Sequence, residues 1–242
     1  MDGGEPRQPC YPARVSADVP SPTQTPSMRI EHISIRNFRV FREVEVANIP
    51  AMAFFVGANG TGKSTLFDVF AFLRDALQDN VHVALTKRGG FAEVVSRGQS
   101  GPIEFEVKFR EDGELVTYQL AIGMAKGRGI VEREILVSYR GHGPLHWLDF
   151  SHGTGYAVTA DRIEEQKLDS PDILAIKGLG QFQRFKVVSS FRRLIERWHL
   201  SDFHIHAARP SQEVGYAEHL SPEGDNLALV TQYLYENHRE RF

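Results

Sequence analysis

A glycine-rich segment of nine residues combines residue types that bind phosphate groups. It has the spacing G-x-x-x-x-G-K-[ST] and consists of Gly57, Ala58, Asn59, Gly60, Thr61, Gly62, Lys63, Ser64 and Thr65. Glycines at the turns let successive backbone N–H groups point inward at phosphate oxygens. Lys63 is expected to reach the β- and γ-phosphates of ATP as a catalytic residue, and the Ser64 hydroxyl to ligate Mg²⁺. The segment therefore predicts a nucleotide-binding loop.

Two predicted elements flank this loop. The apolar run 51–56 predicts a buried strand that leads directly into it. A helix is predicted to begin at once behind it, with more apolar positions than an exposed helix carries: Leu66, Phe67, Val69, Phe70, Leu73 and Leu77. The positive N-terminal end of this helix would face the phosphates. A glycine-rich turn with no ligand would leave the pair Lys63-Ser64 unexplained.

The middle of the chain has the pattern of antiparallel strands. Apolar and polar residues alternate through 103–109, and further strands are predicted at 116–122, 130–139 and 147–150. Glycine-containing turns separate them at 112–113, 127–129 and 141–144. The predicted fold is α/β, with a P-loop NTPase domain over 28–242 that includes a β-rich insert at about 91–160 and a helical part at about 161–242.

The first 27 residues have a different composition. They contain six prolines interleaved with serine and threonine and show no apolar period, so 1–27 is predicted to be a disordered leader. The strand-like pattern begins abruptly after Met28, which suggests the hypothesis that Met28 is the natural start of the protein.

Composition and charge exclude several classes of protein. The 242 residues include 28 Lys and Arg against 31 Asp and Glu, which argues against a generally basic nucleic-acid coat. A single cysteine, Cys10, excludes a disulfide framework and a multi-cysteine zinc site. The longest clean apolar run, 51–56, is far shorter than a membrane span, so a cytoplasmic protein with no membrane association is expected.

A segment about twenty residues before the loop narrows the class of P-loop protein. It includes Asn37-Phe38-Arg39-Val40-Phe41, and later segments at 89–98 and 220–228 have matching character. Together they resemble the ABC-type ATPases of the SMC, RecF and OLD group, most closely the N-terminal part of bacterial AAA-family ATPases with an AAA_21-like domain. The D-x-x-G and N-K-x-D motifs of a GTPase are absent from the sequence.

This resemblance implies specific roles and partners. The strand carrying the N-F-R-x-F segment would pair beside the strand that precedes the loop. Arg39 would contact the nucleotide, and Gln99 would contact Mg²⁺ or the attacking water. A plain surface or loop position is the alternative for each. The family also implies a head-to-head homodimer or a partner subunit, a switch driven by the γ-phosphate, and action on DNA in repair or phage defence.

The acidic element that hydrolysis requires is missing from the sequence. An apolar run of about four residues ending in Asp and then Glu occurs nowhere in the 242 residues. The chain is therefore expected to be the N-terminal part of a longer ATPase, or to borrow a catalytic acid from a partner. A non-hydrolysing ATP sensor and a DNA-binding subunit with a vestigial loop remain as alternatives.

Two later segments have alternative interpretations. Residues 181–198 carry five basic side chains against one acidic side chain at near-helical apolar spacing. This segment either contacts a DNA backbone or is a packed helix with a solvated basic face.

Residues 220–224 superficially resemble the ABC signature sequence, but Pro222 replaces its first glycine. A capped helix start before Leu227 is the better interpretation, with Leu227, Val230 and Leu234 on the buried side and Tyr233 as a further candidate there.

Overall fold

The computed structural model describes residues 28–111, 113–140, 143–159, 162–201, 206 and 215–239, so the predicted leader lies outside the described residues. These residues form an antiparallel eight-stranded sheet with the order β2-β1-β3-β4-β5-β6-β7-β8. The strands are β1 (Arg29–Phe38), β2 (Phe41–Ala47), β3 (Ile103–Glu111), β4 (Glu114–Ala125), β5 (Arg128–Arg140), β6 (Gly143–Ser151), β7 (Thr154–Val158) and β8 (Ile163–Lys167).

Alternation along the strands determines which face of the sheet is buried. In β3, Ile103, Phe105, Val107 and Phe109 point into the core, and register pairs Phe105 with Leu120 of β4. The strands predicted at 103–109, 116–122, 130–139 and 147–150 are all present, and the turn at 126–127 makes a hairpin of β4 and β5. The meander continues through β7 and β8 to Lys167, beyond the expected end near residue 160.

The described helices are α1 (Lys63–Gln78), α2 (Val81–Thr86), α3 (Phe91–Val94), α4 (Ala175–Leu179), α5 (Lys186–Glu196) and α6 (Leu227–Asn237). Aromatic contacts join the longer ones to the apolar face of the sheet. Phe72 of α1 lies 5.7 Å from Phe105, and Phe191 of α5 stacks on Phe109 at 4.7 Å between ring centroids. In the part of the chain that the structure describes, no helix is long and apolar enough to cross a membrane.

The expected strand at 51–56 is wrong. The segment has no regular secondary structure, and Phe54 and Val56 are 84% and 95% exposed. Strand β1 accordingly pairs with β2 and β3, instead of with a strand leading into the loop. The physical reason is that an apolar run becomes a strand only when neighbouring strands satisfy its backbone, and none of the described strands pairs with 51–56.

A buried carboxyl group connects the sheet to the helical layer. Glu134 of β5 is fully buried and accepts hydrogen bonds from the backbone N–H groups of Ala175 and Ile176 at 2.5 and 3.0 Å, and from the Tyr118 hydroxyl at 3.1 Å. Burial raises the pKa of the Glu134 carboxyl to about 7. On α4, the Lys177 ammonium donates to the carbonyls of Gln78, at 2.8 Å, and of Asp79, at the end of α1. The far end of α1 is thereby fixed to the sheet.

Candidate nucleotide-binding site

The glycine-rich loop folds back on its own backbone. Gly60 and Gly62 have φ values of +84° and +96°, which L residues rarely adopt. The Thr61 hydroxyl donates to the Ala58 carbonyl at 2.9 Å. The Lys63 ammonium donates to the carbonyls of Gly57 and Ala58, at 2.7 Å each. The side chain of Lys63 therefore lies over the loop, and its present partners are exposed carbonyl oxygens.

Helix α1 begins directly at this loop without a cap. Gly62 is its N-cap residue in the left-handed region, and the Leu66 N–H donates to the Gly62 carbonyl at 2.9 Å. No side chain of the described residues caps the first turn, and that turn contains no acidic residue. Free backbone N–H groups and the positive end of a sixteen-residue helix therefore meet at Lys63 and the exposed Ser64. These groups fit an anion such as a phosphate.

The turn between β1 and β2 packs against this point. A Cβ atom at Gly62 would lie 2.4 Å from Phe41 Cε1 and 3.3 Å from Val40 Cγ2, so any other residue would displace the Phe41 ring. The glycine is therefore required both by its φ value and by close contact with the turn. The N-F-R-x-F segment and the loop, twenty residues apart in sequence, are in direct contact.

Asn37 holds this turn in an uncommon conformation. It is buried, with φ +60°, and its side-chain amide donates to the carbonyls of Gly101 and Pro102 at 3.0 and 3.1 Å. Its Oδ1 accepts from the Ser96 N–H at 3.1 Å. The Ser96 hydroxyl in turn donates to the Phe41 carbonyl at 2.8 Å. These bonds compensate the strain of a non-glycine residue in the left-handed region.

Arg39 faces a carboxylate of α1. It also has a positive φ, +52°, and its Nε lies 2.6 Å from Asp68 Oδ2. The geometry is that of an ion pair without a hydrogen bond, since Asp68 Oδ2 accepts none from the described residues. The predicted contact of Arg39 with nucleotide stays a prediction, and the partner that the structure gives it is Asp68.

Gln99 lies on the loop between α3 and β3. It lines an open cavity of about 280 Å³, together with side chains of β1, β2 and β3 that include Arg36, Arg42 and Glu104. The described residues that line this cavity include none from the loop 57–65. The predicted contact of Gln99 with Mg²⁺ or the attacking water therefore stays a prediction. The role of Ser64 as a Mg²⁺ ligand also stays a prediction.

Sequence reasoning missed Asp68 and Arg88. Arg88 is 7% exposed and bridges two carboxylates of α1, with Nε 2.9 Å from Asp68 Oδ1 and Nη1 2.8 Å from Asp75 Oδ2. The only signal in the sequence was an aspartate inside the apolar stretch of α1. Among the described residues, no group of three or more His, Cys, Asp or Glu side chains could hold a metal ion.

Helix α5 buries the apolar face that its spacing predicted. Val188, Phe191 and Ile195 are buried. Part of the basic face is neutralised, because Arg192 pairs with Glu196 at 2.7 Å and Arg184 with Glu164 at 3.1 Å. The remaining basic side chains of this segment that are exposed are Lys186, Arg193 and Arg197.

The predicted position of the start of the last helix is confirmed, but the predicted cap and most of the predicted buried face are wrong. Helix α6 begins at Leu227, but Leu227 and Leu234 are 37% and 38% exposed, and Val230 is its buried apolar residue. Asn226 does not cap the helix: its side chain accepts from the Ser221 N–H at 2.7 Å and donates to the His219 carbonyl at 3.0 Å. The Asn226 side chain therefore closes the preceding turn instead of capping the helix.

Comparison with known proteins places these features in a family context. Residues 28–242 match the family model of the AAA ATPase domain. The chain is also similar to the DNA replication and repair protein RecF of Clavibacter sepedonicus, with 33% identity over 70 residues. That match covers 28% of this chain and 17% of the RecF protein, so it spans only a small part of the relative's length.

Proposed function

The chain belongs to the AAA ATPase domain family, and we propose that its loop 57–65 binds the phosphate groups of ATP within a P-loop NTPase fold. The observation that carries this proposal is the uncapped start of α1, where free N–H groups, a helix dipole and Lys63 converge on one point. Gly60 and Gly62 supply the positive φ angles that expose this backbone.

Three residues at the end of the loop, Lys63, Ser64 and Thr65, would have distinct parts in binding. The Lys63 ammonium leaves the carbonyls of Gly57 and Ala58 and pairs with phosphate oxygens, which offer a stronger, charge-assisted bond. Ser64 and Thr65 present hydroxyls and N–H groups at the helix start. The Ser64 hydroxyl would hold Mg²⁺, which keeps most of its other ligands as waters and phosphate oxygens. When bound, Mg²⁺ neutralises the charge that develops on the transferred phosphoryl group.

Hydrolysis and the dimer switch are the finer part of the proposal. The resemblance to ABC-type ATPases supports ATP hydrolysis in a head-to-head dimer, with Lys63 stabilising phosphoryl charge. The catalytic acid would come from outside the loop and α1, because Asp68 and Asp75 are already paired with arginines. An ATP sensor that does not hydrolyse its ligand is the competing function, and phosphate release in the presence of Mg²⁺ separates the two.

A role on DNA has a specific surface to support it. RecF is a DNA replication and repair protein by name, and this chain matches part of it. The exposed basic residues Lys186, Arg193 and Arg197 are the candidates for contact with DNA. If these residues contact a DNA backbone, Arg193→Glu with Arg197→Glu should abolish the retention of DNA at low salt. Retention that is equal to that of the wild type would remove this surface from consideration.

The direct test of the proposal is ATP binding by Lys63→Ala, measured by isothermal titration calorimetry. Loss of a charge-assisted bond worth about 1.5–3 kcal/mol predicts affinity at least about tenfold weaker. Lys87→Ala is the matched control, because Lys87 pairs with Asp79 at the opposite end of α1. Wild-type affinity in Lys63→Ala would refute phosphate binding by this loop.

A further inference from the structure

We infer that Asp68 is a positioning residue for the nucleotide-binding loop, an inference that rests on the proposed function. Asp68 lies in the second turn of α1, the helix whose first residues are Lys63 and Ser64. Its carboxylate forms ion pairs with two arginines from different parts of the chain. Arg39 Nε lies 2.6 Å from Oδ2, and Arg88 Nε lies 2.9 Å from Oδ1.

Arg88 is the fixed member of this group. Besides Asp68, it bonds Asp75 at 2.8 Å and the Ala84 carbonyl at 3.0 Å, and its guanidinium lies 5.3 Å from the centre of the Phe72 ring. An arginine that is 7% exposed and held from these sides has little freedom to move. It therefore fixes the orientation of the Asp68 carboxylate.

Arg39 brings the β1–β2 turn to the same carboxylate. Its backbone N–H donates to the Val94 carbonyl at 2.6 Å, and its neighbours Val40 and Phe41 contact Gly62. The turn thus touches α1 at two places, Gly62 and Asp68, which are separated by about 9 Å along the axis at 1.5 Å per residue. Two points of attachment fix both the rotation and the translation of the helix start, whereas one point would leave it free to pivot.

Positioning and direct contact make opposite predictions for Asp68→Asn. If Arg39 binds phosphate directly, removal of its competing carboxylate frees the guanidinium, and ATP affinity stays equal or rises. If Asp68 positions the loop, the same substitution weakens binding of both ATP and ADP by about tenfold, since both nucleotides use the loop. The double variant Arg39→Gln with Asp68→Asn should then bind no worse than either single variant.

The experiment measures ATP and ADP affinity by calorimetry, together with the melting temperature. Asp75→Asn is the matched control: it removes a carboxylate from the same helix, leaves Arg39 untouched, and leaves Arg88 held by Asp68, the Ala84 carbonyl and the Phe72 ring. It should lower the melting temperature about as much as Asp68→Asn while it changes nucleotide affinity less than about twofold.

Several outcomes would overturn the inference. Unchanged or tighter binding in Asp68→Asn would do so, as would an equal loss of affinity in Asp75→Asn, which would indicate a merely structural effect. Additive losses from Arg39→Gln and Asp68→Asn would show that the two residues act independently. If the wild type binds no ATP, the proposed function fails and this inference with it, whereas a wild type that binds alongside an unaffected Asp68→Asn refutes positioning alone.

Discussion

Substitution of Glu134 by glutamine should remove a large pH dependence of stability. The carboxyl is fully buried, and its pKa is raised from an ordinary 4.5 to about 7 because burial penalises the charged form. A raised pKa means that the folded state binds the proton more tightly than the unfolded state does. The stabilisation is therefore complete below pH 4.5 and is lost as the pH rises through 7.

The magnitude follows from the two pKa values. At pH 5 the folded carboxyl is almost entirely protonated and the unfolded one is mostly ionised. Proton binding then stabilises the fold by about 2.5 kcal/mol, and this contribution falls to nearly zero at pH 8. Glutamine resembles the protonated acid: its amide oxygen at the Oε2 position can accept from the Ala175 N–H, and its amide nitrogen at the Oε1 position can donate to the Tyr118 oxygen. The Ile176 N–H then loses its acceptor, a cost that does not depend on pH and leaves the slope of stability against pH unaffected.

The assay is urea unfolding at pH 5, 6, 7 and 8, followed by tryptophan fluorescence. Subtracting the Glu134→Gln series from the wild-type series isolates the contribution of this carboxyl from that of every other titrating group. Glu132→Gln, on the same strand and partly exposed, is the matched control and should keep the wild-type slope. A Glu134→Gln variant whose stability falls between pH 5 and 8 as steeply as that of the wild type would refute the reasoning.

Three further predictions concern the elements around the loop. Asn37→Ala should lower the free energy of unfolding in urea by about 2–4 kcal/mol, because the buried Ser96 N–H loses its acceptor and two further hydrogen bonds are lost; a loss below about 1 kcal/mol would contradict the strained turn. The double variant Phe54→Ser with Val56→Ser should change the free energy of unfolding by less than about 0.5 kcal/mol, because both side chains are exposed. A larger loss would support the original prediction of a buried strand at 51–56. Lys177→Met should cost about 0.5–1 kcal/mol in thermal unfolding, since it uncovers the carbonyls at the end of α1; an unchanged melting temperature would show that this cap is dispensable.

The antiparallel meander could be predicted because its signal is local. In β3, every second residue from Ile103 to Phe109 is apolar, and alternation of this kind has one structural solution with one face buried. The start of α1 could be predicted for the same reason, because the spacing of the glycines and Lys63 is itself a local signal for a loop followed by a helix. The later strands β7 and β8 were missed, since they are short and carry a weaker alternation.

The errors come from segments whose structure depends on distant partners. The run 51–56 is apolar enough for a buried strand, but a strand requires neighbours that the pattern of a single segment does not reveal. The apolar face of α6 was misjudged for the same reason, because spacing predicts which residues share a face and not what covers it. The ion pairs of Asp68 join residues 20 and 29 positions apart, and no periodicity encodes such a contact.

The N-F-R-V-F segment connects the start of α1 to the loop before β3 and to the core. Asn37 ties the turn to the loop before β3, and Phe38 enters the core 5.4 Å from the Phe105 ring. Arg39 reaches Asp68, and Phe41 occupies the space beside Gly62 that a side chain would need. Because Arg39 and Phe41 contact the start of α1 while Asn37 and Phe38 contact the loop before β3 and the core, loss of the Arg39 contact would shift the helix start without unfolding the sheet. Loss of the Arg39 side chain should therefore appear mainly as weaker nucleotide binding, whereas loss of the buried Asn37 amide also lowers stability.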